Sequence, residues 1–151
     1  MRKWLVSLIP IVIVLMFSTP TFAFEETKTK YFGVGATVEE VEQATFIVRT
    51  KGEGTGEGFV FTPEEINTDD KITFQVSIEG KGSVFIKLVE MDANGKYIKE
   101  HSSPMILLTS DWKEYHITAK LSKSTDQVDV LVITDGTQQT EFKFRDANIL
   151  K

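Results

Sequence analysis

Apolar and polar residues alternate along most of the chain with a period of two, which is typical of β-strands that bury one face. In Lys71–Glu79, isoleucine, phenylalanine and valine alternate with threonine, glutamine and serine. Similar alternation runs through Tyr115–Leu121 and Val128–Val132, and Phe142–Ile149 forms a last strand. No window of about 12 residues or more shows the 3.6-residue apolar period of an amphipathic helix. The pattern therefore predicts a protein built from strands.

The stretch Ser83–Asp92 departs from simple alternation because both of its faces are largely apolar. It predicts a strand that is buried on nearly both faces. The sequence Gly80-Lys81-Gly82 separates it from the strand that begins at Lys71. Glycine favours tight reversals, so these two strands are expected to form a hairpin. A second turn is predicted at Asp92–Gly95.

The region upstream of Lys71 adds shorter elements. Lys30–Val38 and Ala44–Lys51 are strand candidates, and the acidic segment between them fits either a short helical piece or a turn at a sheet edge. Gly52–Gly58 is a glycine-rich connector, since it lacks the Lys-Ser/Thr ending of a phosphate loop. With about eight to ten short strands and no long helix, we expect an all-β fold, an antiparallel β-sandwich or barrel.

The first 23 residues differ from the rest. Met1–Lys3 is basic, Leu5–Phe17 is almost entirely apolar, and the residues up to Ala23 are small or polar. This order predicts a secretory signal peptide over 1–23 and one mature domain over 24–151, secreted or otherwise extracytoplasmic and without a membrane span after cleavage. The alternative is that the segment is kept as an N-terminal anchor.

Composition narrows the possible functions. The chain has a net charge of −5 and no cysteine, which excludes disulfides and thiol catalysis. An acidic balance without a basic stripe argues against a nucleic-acid partner. There are two histidines, and no nucleophile elbow or zinc-protease motif occurs. Neighbouring carboxylates on a strand point to opposite faces, so adjacent acids do not form a catalytic pair. We therefore expect a protein that is not an enzyme.

Several stretches resemble one known family. Four of them are strands: the alternating Lys71–Glu79, the apolar Ser83–Asp92, Ser110–Thr118 with its tryptophan and tyrosine near the start, and the aromatic closing strand Phe142–Ile149. The fifth is the opening pair Phe24-Glu25. From Lys71 onward, in chain order, they resemble the jelly-roll carbohydrate-binding modules attached to secreted xylanases and glucanases, within the galactose-binding-like group, and Phe24-Glu25 resembles the pair that opens such modules. The resemblance implies a jelly-roll sandwich that binds poly- or oligosaccharide without catalysis.

The resemblance also implies a structural calcium, although no cofactor is required for binding. In relatives, carboxylates of the closing strand and of the opening pair hold the ion, and the matching residues here are Glu25 and Asp146. The first closing aspartate of the family is Arg145 in this chain. Calcium prefers six to eight oxygen ligands, several of them charged, so a cation at this position disfavours the site.

Sugar binding needs rings for stacking and polar side chains on an open sheet face. Tyr97 follows a turn among lysines and is the best stacking candidate, because Trp112 stands where relatives keep a packing tryptophan. The expected row of polar ligands is Gln75, Lys87, His116 and Asp129. The alternative for these residues is an ordinary solvated face. The alternative function is an exported structural or protein-interaction domain of the cell envelope or matrix.

Overall fold

The computed structural model describes residues 31–64, 66 and 71–150, and they form two antiparallel sheets. Eleven strands follow one another along the described residues: β1 Tyr31–Val34, β2 Ala36–Glu42, β3 Thr45–Thr50, β4 Gly58–Phe61, β5 Lys71–Gly80, β6 Ser83–Met91, β7 Tyr97–Ser102, β8 Ile106–Leu107, β9 Lys113–Lys120, β10 Gln127–Thr134 and β11 Glu141–Leu150. The predicted all-β antiparallel sandwich is confirmed, with slightly more strands than expected. The predicted signal peptide over residues 1–23 lies outside the described residues.

The six-stranded sheet has the order β1-β4-β10-β6-β7, with β8 paired to β6, and the five-stranded sheet has the order β2-β3-β11-β5-β9. Both sheets bury one side of their alternating strands against the other, as the period-two pattern predicts. In the five-stranded sheet Phe74 and Phe144 are fully buried, and in the six-stranded sheet Phe59 and Leu88 are. The rings of Phe59 and Phe144 stack across the core with centroids 3.9 Å apart.

The predicted hairpin between β5 and β6 is wrong. β5 pairs with β11 and β9, whereas β6 pairs with β10, β7 and β8, so the turn Gly80–Gly82 carries the chain from one sheet to the other. This crossing has a clear physical reason. Each of the two strands has one strongly apolar side, and placing them in opposite sheets lets Ile78 and Val84 face the same core.

The prediction that β6 is buried on nearly both faces is also wrong. Val84, Ile86, Leu88 and Glu90 are fully buried, but the residues between them are only half-buried. The apolar residues at those intermediate positions lie on the outer surface of the sheet. The double apolar pattern thus marks an exposed apolar face and not a second core.

In the last strand, β11, the alternation between inward-facing and outward-facing residues shifts part of the way along. Phe142 and Phe144 face the core, but the pairing with β5 shifts between Arg145 and Asn148. Asp146 occupies the shift with a φ of 55°, the geometry of a β-bulge. The extra residue reverses the alternation, so Ala147 is buried and the strand continues with its other parity facing the core.

The acidic segment that fitted a helical piece or a turn at an edge is strand β2, at the edge of the five-stranded sheet, followed by a turn at residues 43–44. Within the described ranges there is no helix that is long and apolar enough to cross a membrane.

Candidate functional site

The outer surface of the six-stranded sheet carries a strip of apolar side chains. We call this surface the apolar face; its members are Phe32, Val60, Phe85, Val89 and Leu131. Pairing places Phe32 beside Val60 and Val60 beside Leu131 on three successive strands, so the strip runs across the strands. The side chain of Phe32 is 60% exposed, and the other four residues are half-buried. Contiguous exposed apolar surface of this kind marks a site of interaction.

Polar side chains stand beside the strip and are held in pairs. Lys87 Nζ lies 2.8 Å from Glu100 Oε1, and the Thr62 hydroxyl donates to Asp129 Oδ1 at 2.6 Å. Lys87 faces Leu131 in the strand pairing, and Asp129 is a diagonal neighbour on that strand. The apolar face therefore offers fixed donors and acceptors next to apolar surface, which is the composition of a small-molecule or glycan site.

The glycine-rich connector closes one end of the apolar face. Its Gly56 amide donates to the carbonyl of Thr134, and the side chain of Ile133 lies below it, which explains why this outward residue is buried. Glu57 folds back into the loop, where its carboxylate accepts the amides of residues 52, 53 and 54 at 2.6 to 3.0 Å. Burial alone raises the pKa of Glu57, but these backbone donors outweigh it, so the pKa is lowered. The connector therefore forms a rim at this end of the apolar face, and the hydrogen bonds to Glu57 hold its backbone in place.

The outer surface of the five-stranded sheet is different, because its exposed side chains are mostly polar and pair with one another, and the outward-facing Ile47 is buried. Gln75 donates to Glu114 at 2.8 Å, and Arg49 bridges Glu39 and Glu141 at 2.9 and 2.8 Å. Such a surface is well solvated and needs no ligand to cover it. The contrast between the two outer surfaces points to the apolar face as the candidate site.

The structure divides the predicted ligand row between the two surfaces. Lys87 and Asp129 lie on the apolar face, and Tyr97 pairs with the outward-facing Met91 at its edge, where its side chain is 60% exposed. Gln75 and His116 are paired residues of β5 and β9 on the opposite, polar surface. The row was expected on neighbouring strands of one sheet, and the crossing at Gly80–Gly82 separates its two halves.

Trp112 lies immediately before β9 and is half-buried. The guanidinium carbon of Arg145 is 4.4 Å from the centroid of its ring, within the range of a cation–π contact. This contact occupies one face of the ring. Arg145 also lies 3.5 Å from the carboxylate of Asp146.

The calcium prediction concerns the same region. Glu25 lies outside the described residues, and the exposed Asp146 has Arg145 as its ion-pair partner. Among the described residues no group of three or more His, Asp or Glu side chains could hold a metal ion. The described carboxylates do not by themselves supply the six to eight oxygens that calcium prefers. Calcium binding through Glu25 and Asp146 stays a prediction.

Sequence analysis missed the residues that give the apolar face its character. Phe85 and Val89 were predicted to be buried, because they stand in a strand that is apolar on both sides, and Leu131 was given no role. The available signal was that Phe85 and Val89 are apolar at outward positions of β6, where a half-exposed strand would normally be polar. Glu90 was missed as a structural residue too, since nothing in the sequence showed that a carboxylate would be fully buried.

Comparison with known proteins gives structural neighbours only, because no protein-family model and no curated protein matches the sequence. One neighbour contains the N-terminal family 22 carbohydrate-binding module of a Clostridium thermocellum endo-1,4-β-D-xylanase with its adjoining GH10 module, complexed with xylohexaose (TM-score 0.67, 14% identity). The C-terminal family 22 module of that xylanase gives a TM-score of 0.58 at 16% identity. A family 11 carbohydrate-binding module of a cellulosomal cellulase from the same organism gives 0.62 at 13%.

These matches cover 81%, 82% and 83% of this chain. The chain spans 26% of the first neighbour, which includes a second module, and 86% and 90% of the other two. Identities this low establish the shared fold, the jelly-roll sandwich, and leave function to be argued from the residues.

Proposed function

We propose that this protein is an extracytoplasmic, non-catalytic domain that binds poly- or oligosaccharide on its apolar face. The observation that carries the proposal is the outward-facing strip of the exposed Phe32 and the half-buried Val60, Leu131 and Phe85, next to the paired polar groups of Lys87 and Asp129. A pyranose ring has C–H faces that stack on apolar side chains, and its hydroxyls need directional donors and acceptors at the edges. The apolar face offers both.

Three further observations support this function. The structural neighbours include carbohydrate-binding modules that align over four fifths of this chain. The basic, apolar and small-residue order of residues 1–23 fits export, which would bring the domain to extracellular polysaccharides. Tyr97 stands at the edge of the face and extends the surface available for stacking.

The alternative, a protein-interaction domain, draws on the aliphatic part of the same surface. Val60, Val89 and Leu131 are branched aliphatic residues, and such side chains suit a protein partner as well as a sugar. The two functions differ in the ligand that is bound but use the same apolar face, so variants of that face test both.

Affinity electrophoresis of protein expressed from the full-length sequence tests the proposal. Gels contain xylan, mixed-linkage glucan or agarose, and the variants are Phe85→Ala on the apolar face and His116→Ala on the polar surface. Loss of a buried stacking ring costs about 1.5–3 kcal/mol, so Phe85→Ala is expected to weaken binding about tenfold or more. His116→Ala should migrate like the unmodified protein.

Two results would overturn the proposal. If no polysaccharide retards the unmodified protein, carbohydrate binding by the apolar face is wrong and the protein-interaction alternative gains. If His116→Ala loses retardation and Phe85→Ala keeps it, sugar binds to the other surface.

A further inference from the structure

A groove of about 560 Å³ opens at the end of the sandwich where β5 leads into β6 and β10 into β11. Its lining includes Glu79, Lys81, Ser110, Gln138, Gln139 and Lys143. Glu79 and Lys143 are paired residues on the outer side of the five-stranded sheet. The groove therefore belongs to the polar side of the molecule and is separate from the apolar face.

The backbone that surrounds the groove is fixed by hydrogen bonds between its segments. The Gly80 amide donates to the Thr109 carbonyl at 2.8 Å, and the Leu108 amide donates to the Gly82 carbonyl at 2.9 Å. On the other wall, Thr140 exchanges hydrogen bonds with Thr50 through backbone and hydroxyl groups. A ligand that enters a preformed groove avoids much of the entropic cost of ordering loops.

Close packing of glycine explains the shape of this end. A Cβ atom added to Gly80 would lie 2.6 Å from Cβ of Phe142, so a side chain cannot be placed there without moving the neighbouring strand. Gly82 has a φ of +99°, a conformation that other residues rarely adopt. The two glycines keep the turn tight against β11 and leave the space above it open.

The charges around the groove cancel. Two carboxylates, of Glu79 and Glu141, are matched by two ammonium groups, of Lys81 and Lys143. Glu79 pairs with Lys143 at 3.2 Å, and Glu141 also pairs with Arg49, outside the groove. An anionic ligand would find no excess of positive charge here, and Phe142, the one large apolar side chain of the lining, is only 1% exposed. The lining suits a neutral ligand with many hydroxyl groups.

The side-chain amides of Gln138 and Gln139 are the groups free to contact such a ligand. Both residues are exposed, and in the described part of the chain neither amide has a hydrogen-bond partner. An amide presents a donor and an acceptor side by side, which matches two adjacent hydroxyls of a sugar. Ser110 lines the same groove and adds a hydroxyl-bearing side chain to it.

We propose that this groove is a second sugar site, which takes a single neutral pyranose unit such as a chain end or a branch. Its volume falls within the range of about 300–1,000 Å³ that is usual for small-molecule pockets. The inference rests on the proposed function, namely that the domain recognises carbohydrate, and it adds a separate site for a different part of the polymer.

NMR titration of ¹⁵N-labelled protein with D-glucose, D-xylose and D-galactose tests the groove. At least one sugar is expected to shift the amide signals of residues 80–82 and 138–140, with a dissociation constant in the millimolar range, on the order of 1–50 mM. Gln139→Ala and Ser110→Ala should each weaken this binding about three- to tenfold, as loss of one hydrogen bond does. Gln43→Ala removes an exposed glutamine from a distant turn and is the control.

The outcomes separate the groove from the apolar face. The second site is wrong if no monosaccharide shifts the groove signals, or if Gln43→Ala weakens binding as much as Gln139→Ala. Neither result would affect a polysaccharide retention that depends on Phe85. If the groove signals shift in the Phe85→Ala variant as they do in the unmodified protein, the second site is supported even where the apolar face retains no polymer.

Discussion

The fully buried Glu90 allows the sharpest test of how this fold is held together. Its carboxylate accepts the Ser122 amide at 2.8 Å and the Thr125 hydroxyl at 2.5 Å, and it pairs with His101 Nε2 at 2.5 Å. Lys99 Nζ lies 3.8 Å away. One side chain thus connects β6 with the edge strand β7 and with the loop between β9 and β10.

The pKa of Glu90 gives the size of its contribution to the stability of the fold. Burial alone raises the pKa of Glu90, but hydrogen bonds from Thr125, His101 and Ser122 outweigh burial and lower the pKa from 4.5 to about 2. This difference corresponds to about 3 kcal/mol of stability. Since the pKa is lower in the folded state, the contribution is fully present above about pH 4.5 and is lost as the pH falls towards 2.

The variant Glu90→Gln keeps the shape of the side chain but removes its charge and one acceptor. In urea unfolding at pH 7 we expect the free energy of unfolding to fall by about 2–4 kcal/mol, because buried donors lose their acceptor. At pH 2 the loss should be at most about half as large, because the native carboxylate is itself becoming protonated. The control Glu39→Gln removes one partner of an exposed ion pair and should cost less than about 1 kcal/mol.

A loss below about 1 kcal/mol at pH 7 would show that the buried network contributes little. Equal losses at both pH values would refute the link between charge and stability.

Three other perturbations test the core, the tight turn and the rim. Phe144→Ala removes a fully buried ring that stacks on two others, so the free energy of unfolding measured in urea should fall by about 3–5 kcal/mol; a loss under about 1 kcal/mol would contradict the packing. Gly80→Ala places a Cβ 2.6 Å from Phe142, and the urea midpoint should fall by the equivalent of about 1–3 kcal/mol; an unchanged midpoint would contradict the close approach. Glu57→Ala removes the acceptor of three loop amides, so hydrogen exchange at residues 52–54 should become faster; unchanged exchange would show that the rim is held by other contacts.

For most strands the sequence determined which side is buried, because hydrophobic alternation is a local property. The exceptions are β6, whose two sides are both largely apolar, and β11, whose alternation reverses at Asp146. Phe74 and its neighbours in β5 face the core as their parity requires, and so do Val128 and Val130 in β10. Which strands pair with each other depends on residues that are far apart in the sequence. Gly80–Gly82 can close a hairpin or cross between sheets, and the choice depends on where distant strands, above all β11 and β10, find partners.

The candidate site was predictable in part for the same reason. Lys87 and Asp129 have outward parity in the sequence, and the structure places them on neighbouring strands. Gln75 and His116 also have outward parity, but they belong to the other sheet. Phe85 and Val89 were predicted to be buried, because the outer side of β6 is largely apolar and resembles a second core-facing side.

The most direct test of the proposed function maps where a sugar chain lies. In NMR titrations with xylo-oligosaccharides and mixed-linkage gluco-oligosaccharides, amide shifts are expected on β4, β6 and β10, centred on Val60, Phe85 and Leu131. Shifts confined to β5 and β9, around Gln75 and His116, would contradict binding on the apolar face, as would the absence of any shift with every oligosaccharide.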